Sequence, residues 1–163
     1  MATRLDVQAV IASLGLPARA TQMIKMAREI RTRHGGKIPW TFRDLIRLPG
    51  VGVYTACAVR SFSFGIPDGI VDANVIRVLE RFFGKPTPGK WFRQRARHWL
   101  PFVRRLARSS AHREVNYALL DLGATVCRPR APSCNQCPLK DLCVTGRTNT
   151  ERMKDAHASR ENS

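Results

Sequence analysis

Four cysteines, Cys127, Cys134, Cys137 and Cys143, crowd into 17 residues with the spacing C-x6-C-x2-C-x5-C, while Cys57 stands alone far upstream. A loop this rich in thiols has two chemical outcomes: it cross-links itself, or it holds an inorganic centre. Disulfides suit small exported domains. The start, Met1-Ala-Thr-Arg-Leu-Asp, shows no charged-then-apolar leader ending at a small-residue cleavage site, so a reducing, cytoplasmic setting is expected. Thiolates in that setting ligate zinc or an iron–sulfur cluster. Structural zinc usually sits between two short C-x2-4-C units, and only Cys134 and Cys137 form one here. Zinc is therefore the less natural reading, and it stays open. Arg128, Arg130 and Lys140 lie in or beside the loop and would offset the negative charge of a thiolate-bound centre. Cys57 reads as a small buried helix residue.

Ahead of that loop the pattern is helical, with no run of alternating strand residues, and it predicts an all-α fold. Leu5, Val7, Val10, Ile11 and Leu14 make a rough apolar face that stops at Gly15. A second amphipathic helix is expected from about Pro17 to His34, stopped by Gly35-Gly36. Thr41, with Asp44 three residues on, caps a short helix through Leu48. Pro49-Gly50-Val51-Gly52 breaks the chain before a helix over Val53 to Phe64. Asp72 is placed to cap a helix from Ala73 to Phe83, stopped at Gly84. A Pro/Gly-rich linker, a long basic stretch from Trp91 to Arg108 and a helix over His112 to Ala124 complete the chain up to the cysteines.

Charge narrows the partner. The chain carries 28 Lys plus Arg against 12 Asp plus Glu, a formal +16 among 163 residues. No stretch approaches the roughly 20 apolar residues of a membrane span. Between Glu80 and Glu114 there is no acid, yet ten cations lie between them, interleaved with Trp91, Phe92, Trp99 and Phe102. Uncompensated, those charges repel one another, so an anionic partner such as nucleic acid or an acidic membrane face is expected.

Leu48-Pro-Gly-Val-Gly52 followed at once by a helix can turn tightly and present backbone N–H groups to a phosphate oxygen. Read with its neighbours, this segment resembles the helix–hairpin–helix DNA glycosylases, the family of endonuclease III and the adenine glycosylase of A·G mispairs. Leu48-Pro-Gly-Val-Gly-Val-Tyr-Thr-Ala56 is similar to the family hairpin. Val71-Asp-Ala-Asn-Val-Ile-Arg-Val-Leu79 is similar to the segment bearing its catalytic aspartate. Asn116-Tyr-Ala-Leu-Leu-Asp-Leu-Gly-Ala-Thr-Val-Cys127 leads into the cysteine spacing of its [4Fe–4S] site. The likeness runs from about Val10 to Cys143.

The resemblance implies a six-helix barrel, incomplete at its N-terminal end, over residues 1–110, with the hairpin at about 42–64 and the aspartate segment at 71–83. It implies an iron–sulfur region over 111–146, held by Cys127, Cys134, Cys137 and Cys143; the tail, 147–163, reads as disordered. Asp72 would stabilise the oxocarbenium-like sugar as the N-glycosidic bond breaks. Tyr54 stands where bifunctional members carry a lysine nucleophile. A phenol forms no imine, which implies a monofunctional enzyme with Tyr54 lining the base pocket. Gly50, Val51, Gly52 and Thr55 would hold a strand phosphate, with a monovalent cation on nearby carbonyls. Arg128, Arg130 and Lys140 would touch DNA from the cysteine loop, and the Arg-rich stretch would grip the duplex.

Tyrosine followed by Val-Asp-Ala-Asn is most similar to the thymine/uracil branch, acting on G·T or G·U. The rivals are an adenine glycosylase and a non-catalytic DNA-binding remnant. The implied partner is double-stranded DNA with a mispaired or damaged base, in a cytoplasmic, nucleoid-associated protein. A monomer is expected, with an exposed apolar face, and hence self-association, if the first barrel helices are missing.

Overall fold

The computed structural model describes residues 3–14 and 19–149. Its described residues are helical or irregular, with no strand among them. The chain divides after Ile66 into two compact units.

The first unit contains α1 (Arg4–Ile11), α2 (Arg19–Arg33), α3 (Phe42–Leu45) and α4 (Val53–Ala58). Thr3 caps α1 in a reciprocal box with Asp6, which satisfies two end amides at once. The apolar face expected on α1 is split: Ile11 is buried, whereas Leu5 and Val10 are 76% and 81% exposed. Gly15 and Pro17, expected at the junction with α2, lie outside the described residues. Thr41 caps α3 as expected, its hydroxyl accepting the Asp44 N–H at 3.1 Å. Leu45, Leu48 and Ala56 form the core of the helix pair α3–α4, covered by Met26, Ile30 and Phe42. Apolar residues on both arms of the turn thus fix its geometry. α4 continues as a widened π-turn over Val59–Ser63, and Cys57 is buried within it.

The second unit contains α5 (Ala73–Phe83), α6 (Phe92–Leu106) and α7 (His112–Asp121), the last continuing through a π-turn to Val126. Asp72 caps α5 and Gly84 ends it at φ +66°, a left-handed value that glycine adopts without strain. α5 buries Val75, Ile76, Val78 and Leu79. α6 buries Ala96, Trp99, Leu100 and Val103, and it runs through Pro101. A proline inside a helix costs about 3 kcal/mol; burying four neighbours on one face offsets that loss.

Two expectations need correction. Residues 144–149 are helical, so the segment read as a tail from 147 begins inside structure. Residues 150–163 lie outside the described residues. The basic stretch is also less naked than its sequence implied. Arg95 pairs with Glu80 at 2.7 Å and Arg104 with Asp68 at 2.7 Å, while Arg81 donates to the Arg128 and Pro129 carbonyls at 2.7 and 2.9 Å. Arg81, Arg95 and Arg104 therefore serve the fold, using partners the linear reading could not pair with them.

Candidate functional site

In the first unit the turn between α3 and α4 is closed by the Val51 N–H on the Leu48 carbonyl at 3.1 Å. Gly50 sits at φ +80°, and a Cβ there would meet Gln22 Oε1 at 3.0 Å. Geometry within the protein thus demands glycine at position 50. Gly52 differs. It caps α4 with extended backbone, φ −97° and ψ 178°, and no side-chain cap bond. A Cβ built on it meets nothing within 4 Å. The N-terminus of α4 thus has no side-chain cap and clear space beside its cap residue, an arrangement compatible with an anion at a helix N-terminus. Thr55 lines a cavity of about 220 Å³ with Gly50, Val51, Gln22 and Arg19. Tyr54, on the same helical turn, is 41% exposed.

In the second unit Asp72 is half-buried and held at both oxygens. Oδ1 accepts the Val75 N–H at 2.7 Å and Oδ2 accepts Asn74 Nδ2 at 3.0 Å. Asn74 is fixed in turn by Arg77, whose Nη2 donates to Asn74 Oδ1 at 2.9 Å and to the Gly123 carbonyl at 2.6 Å. Arg77 Nε reaches the Cys127 carbonyl at 2.8 Å. A Cβ on Gly123 would lie 2.8 Å from that of Asn74, so α5 and the end of α7 pack closely because glycine stands there. The strand of chain before Asp72 is pinned as well. Buried Asn116 accepts the Ile70 N–H and donates to the Asp68 carbonyl, each at 2.9 Å.

The four loop cysteines line one small pocket with Arg81, Lys140 and Gly146. None of them forms a disulfide. Three sulfurs accept N–H donors: Cys127 from Arg81 and Cys134 from Asn149, both at 3.4 Å, and Cys143 from Gly146 at 3.3 Å. Burial pushes the Cys143 thiol up; the Gly146 and Thr145 amides oppose this, and Cys137 and Cys127 add to it. Among the described residues no three His, Cys, Asp or Glu side chains converge as a site for a single metal ion. The donor set is thus four thiols around one cavity. Sulfur-directed N–H groups and a nearby guanidinium suit a bound thiolate centre.

Of the sequence-predicted residues, the hairpin group with Tyr54 and Thr55 belongs to the first unit; Asp72 and the cysteines belong to the second. Arg130 is exposed. Arg128 instead closes its own loop on the Ala131 carbonyl and the Ser133 hydroxyl, both at 3.2 Å. Lys140 lines the cysteine cavity. Sequence reasoning missed Arg77, Asn74 and Asn116 as positioning residues. The available signal was a polar amide, Asn116, in the middle of a helix ahead of the apolar Ala118, Leu119 and Leu120.

The architecture is that of the endonuclease III-like glycosylases: a solved non-covalent endonuclease III–DNA complex superposes with a TM-score of 0.79 over 92% of this chain at 24% identity. A thermostable thymine-DNA glycosylase structure superposes with a TM-score of 0.80 at 30% identity, covering 90% of this chain and 67% of that one. Among curated proteins, the thymine-DNA glycosylase of Aeropyrum pernix is 36% identical over 141 residues, 85% of this chain and 63% of its own. The human adenine DNA glycosylase is 38% identical, again over 85% of this chain but 25% of the human protein. No family model matches the chain. On its relatives and its fold, the chain belongs to the helix–hairpin–helix DNA glycosylase family. It spans less than two thirds of the Aeropyrum relative's length.

Proposed function

We propose that this chain carries the catalytic aspartate and cluster loop of a monofunctional DNA glycosylase that removes thymine or uracil opposite guanine and leaves an abasic site. The observation that carries the reading is Asp72, ionisable, half-buried and clamped at both oxygens at the start of α5. A carboxylate fixed in that way needs no reorganisation to face a developing sugar cation. The target base leaves the stack first, at a cost of a few kcal/mol that is least at a mispair. Tyr54, exposed on the first turn of α4, lines the base pocket, and with no lysine amine there the sugar is attacked by water rather than by the protein.

Gly50, Val51, Gly52 and Thr55 take a backbone phosphate on the first-turn amides of α4. A monovalent cation would draw on carbonyls of the same turn, of which Leu48 O already accepts the Val51 N–H. Arg130 and Lys140 extend the basic surface of the cysteine loop. Cys127, Cys134, Cys137 and Cys143 would hold a [4Fe–4S] cluster, which when bound supplies a structural cross-link and takes no part in the hydrolysis. The partner is duplex DNA, engaged by a monomer in the nucleoid. Among the described residues no helix is long and apolar enough to cross a membrane.

The thymine relatives support this choice of base. The 38% identity to the human adenine enzyme favours a second reading, release of adenine. Single-turnover assays on G·T, G·U and A·8-oxoguanine duplexes decide between them. Product that breaks only after alkali is expected from G·T and G·U. Release from A·8-oxoguanine alone supports the second reading, and tight binding with no release from any duplex refutes both.

A further inference from the structure

Phe83, the last residue of α5, stacks on Trp99 of α6 with centroids 5.5 Å apart and planes 14° from parallel. Beside this pair runs an open groove of about 460 Å³, lined by Phe83, Lys85, Pro86, Pro88, His98 and Trp99. Small-molecule sites span roughly 300–1,000 Å³, so a nucleobase and its sugar fit.

The walls are fastened. Glu80 accepts the Thr87 N–H at 2.9 Å and Arg95 Nη2 at 2.7 Å, tying the loop of residues 84–90 to both helices. The buried Thr87 hydroxyl accepts the Trp99 indole N–H. Burial pushes the Glu80 carboxyl up, but bonds from Thr87 and Arg95 outweigh it and hold the group below its ordinary value. Glu80 is therefore already paired, and the loop cannot collapse into the space without breaking these bonds.

What faces the groove is aromatic and cationic. Phe83 keeps 38% of its surface exposed. Lys85 and His98 are exposed at the rim. Just beyond, Trp91 is 66% exposed with Lys90 Nζ 5.6 Å from its ring. No acid occurs between Glu80 and Glu114. A duplex hides its base faces within the stack, so an aromatic ring recessed in a groove can serve only bases already out of it. Aromatic platforms within a cationic channel are the means by which single strands are held without sequence preference.

We propose that this groove is a binding site for single-stranded polynucleotide, with an unpaired base against Phe83 and its flanking phosphates on Lys85 and the cations beside it. Its lining residues include neither the hairpin residues nor Asp72, and it stands whether or not base release is observed.

The test uses the whole chain and fluorescein-labelled (dT)12, followed by anisotropy across a salt series, beside a fully paired duplex. Phe83→Leu keeps apolar packing on Trp99 but removes the stacking face. It should weaken (dT)12 binding roughly tenfold with an unchanged salt slope. Lys85→Gln should weaken it several-fold and lower the log–log salt slope by about 0.7, one phosphate's worth for a single strand. Duplex affinity should stay within about twofold for Phe83→Leu, because the ring cannot reach a paired base. Unchanged (dT)12 binding, or equal losses on both probes for Phe83→Leu, overturns the proposal. So does loss of binding to phosphatidylglycerol/phosphatidylcholine vesicles with (dT)12 unaffected, which would make the groove a lipid site. Should Phe83→Leu fail to fold, His98→Gln replaces it, with a several-fold loss expected and no loss refuting.

Discussion

Gly52 is the residue at which the need for glycine can be separated from the needs of the fold. Its backbone is extended, so no left-handed strain protects it, and a Cβ there would touch nothing within 4 Å. For Gly52→Ala two small terms act on stability. Alanine is the poorer N-cap, by up to about 1 kcal/mol. It also lowers the entropy of the unfolded chain, returning about 0.4–1 kcal/mol. The net change is near zero, and the melting temperature should move by less than about 3 °C. DNA binding should respond differently. If a phosphate sits on the first-turn amides, a methyl group at the cap holds it away and weakens a charge-assisted bond of about 1.5–3 kcal/mol. That is a loss of about tenfold to 150-fold in Kd. Thermal melts by far-UV circular dichroism and duplex anisotropy on the same preparation read the two quantities. A Kd within twofold of the parent, with an unshifted melt, refutes close phosphate approach at this turn. A melt lowered by about 10 °C refutes the claim that the fold is indifferent to the residue. Gly50→Ala is the contrast. Its φ of +80° and its contact with Gln22 mean that stability and binding should fall together.

Four further outcomes follow from the geometry. Asp72→Asn keeps the cap of α5, since the two side chains cap about equally well, so the melt should hold while base release falls a hundredfold or more, by about the magnitude of a lost transition-state contact; parent-like release would remove Asp72 from its role. Gly69→Ala places a Cβ 2.5 Å from the Arg104 nitrogen and 2.6 Å from the Val103 carbonyl carbon. Both atoms are backbone, and the overlap should cost about 3 kcal/mol and lower the melt by roughly 6–12 °C; a neutral result would contradict the close packing on α6. Arg77→Leu strips donors from Asn74 and from the Gly123 and Cys127 carbonyls, so single-turnover release should slow by more than duplex affinity weakens, and Arg77→Lys, lacking the fork, should not restore it. Glu80 has a folded-state pKa below its ordinary value. Its contribution is therefore fully present above the unfolded carboxyl range near pH 4.3 and is lost as pH falls through the folded value. Glu80→Gln should flatten the acid limb of stability against pH, and an unchanged limb would show that the carboxylate contributes nothing there.

Much of the helical framework was legible in the residues themselves. Thr41 and Asp72 announce caps, Gly84 a left-handed stop, and Pro49-Gly50-Val51-Gly52 a break between two apolar arms. Each is a local steric or hydrogen-bonding necessity acting over three or four residues, and the structure follows them closely. The π-turns after α4 and α7 carried no such signal, because they arise where a helix adjusts to its packing and not from the residues that widen it.

The site divides along the same line. Residue identity settled which side chains bear chemistry: one aspartate at a helix start, four thiols in a short loop, two glycines before a helix, and a large surplus of cations. Tertiary structure alone decided what those groups are coupled to. Arg104 finds Asp68 across 36 residues, and Arg77 reaches the Cys127 carbonyl across 50. Pairings such as that of Arg104 turned members of an apparently unopposed basic run into struts and left others, such as Lys85, facing a groove. A linear pattern encodes what recurs within a few residues, because that is as far as backbone geometry carries information. Which distant charge meets which is settled only when apolar faces pack and water is expelled, and with it which cations remain for a ligand.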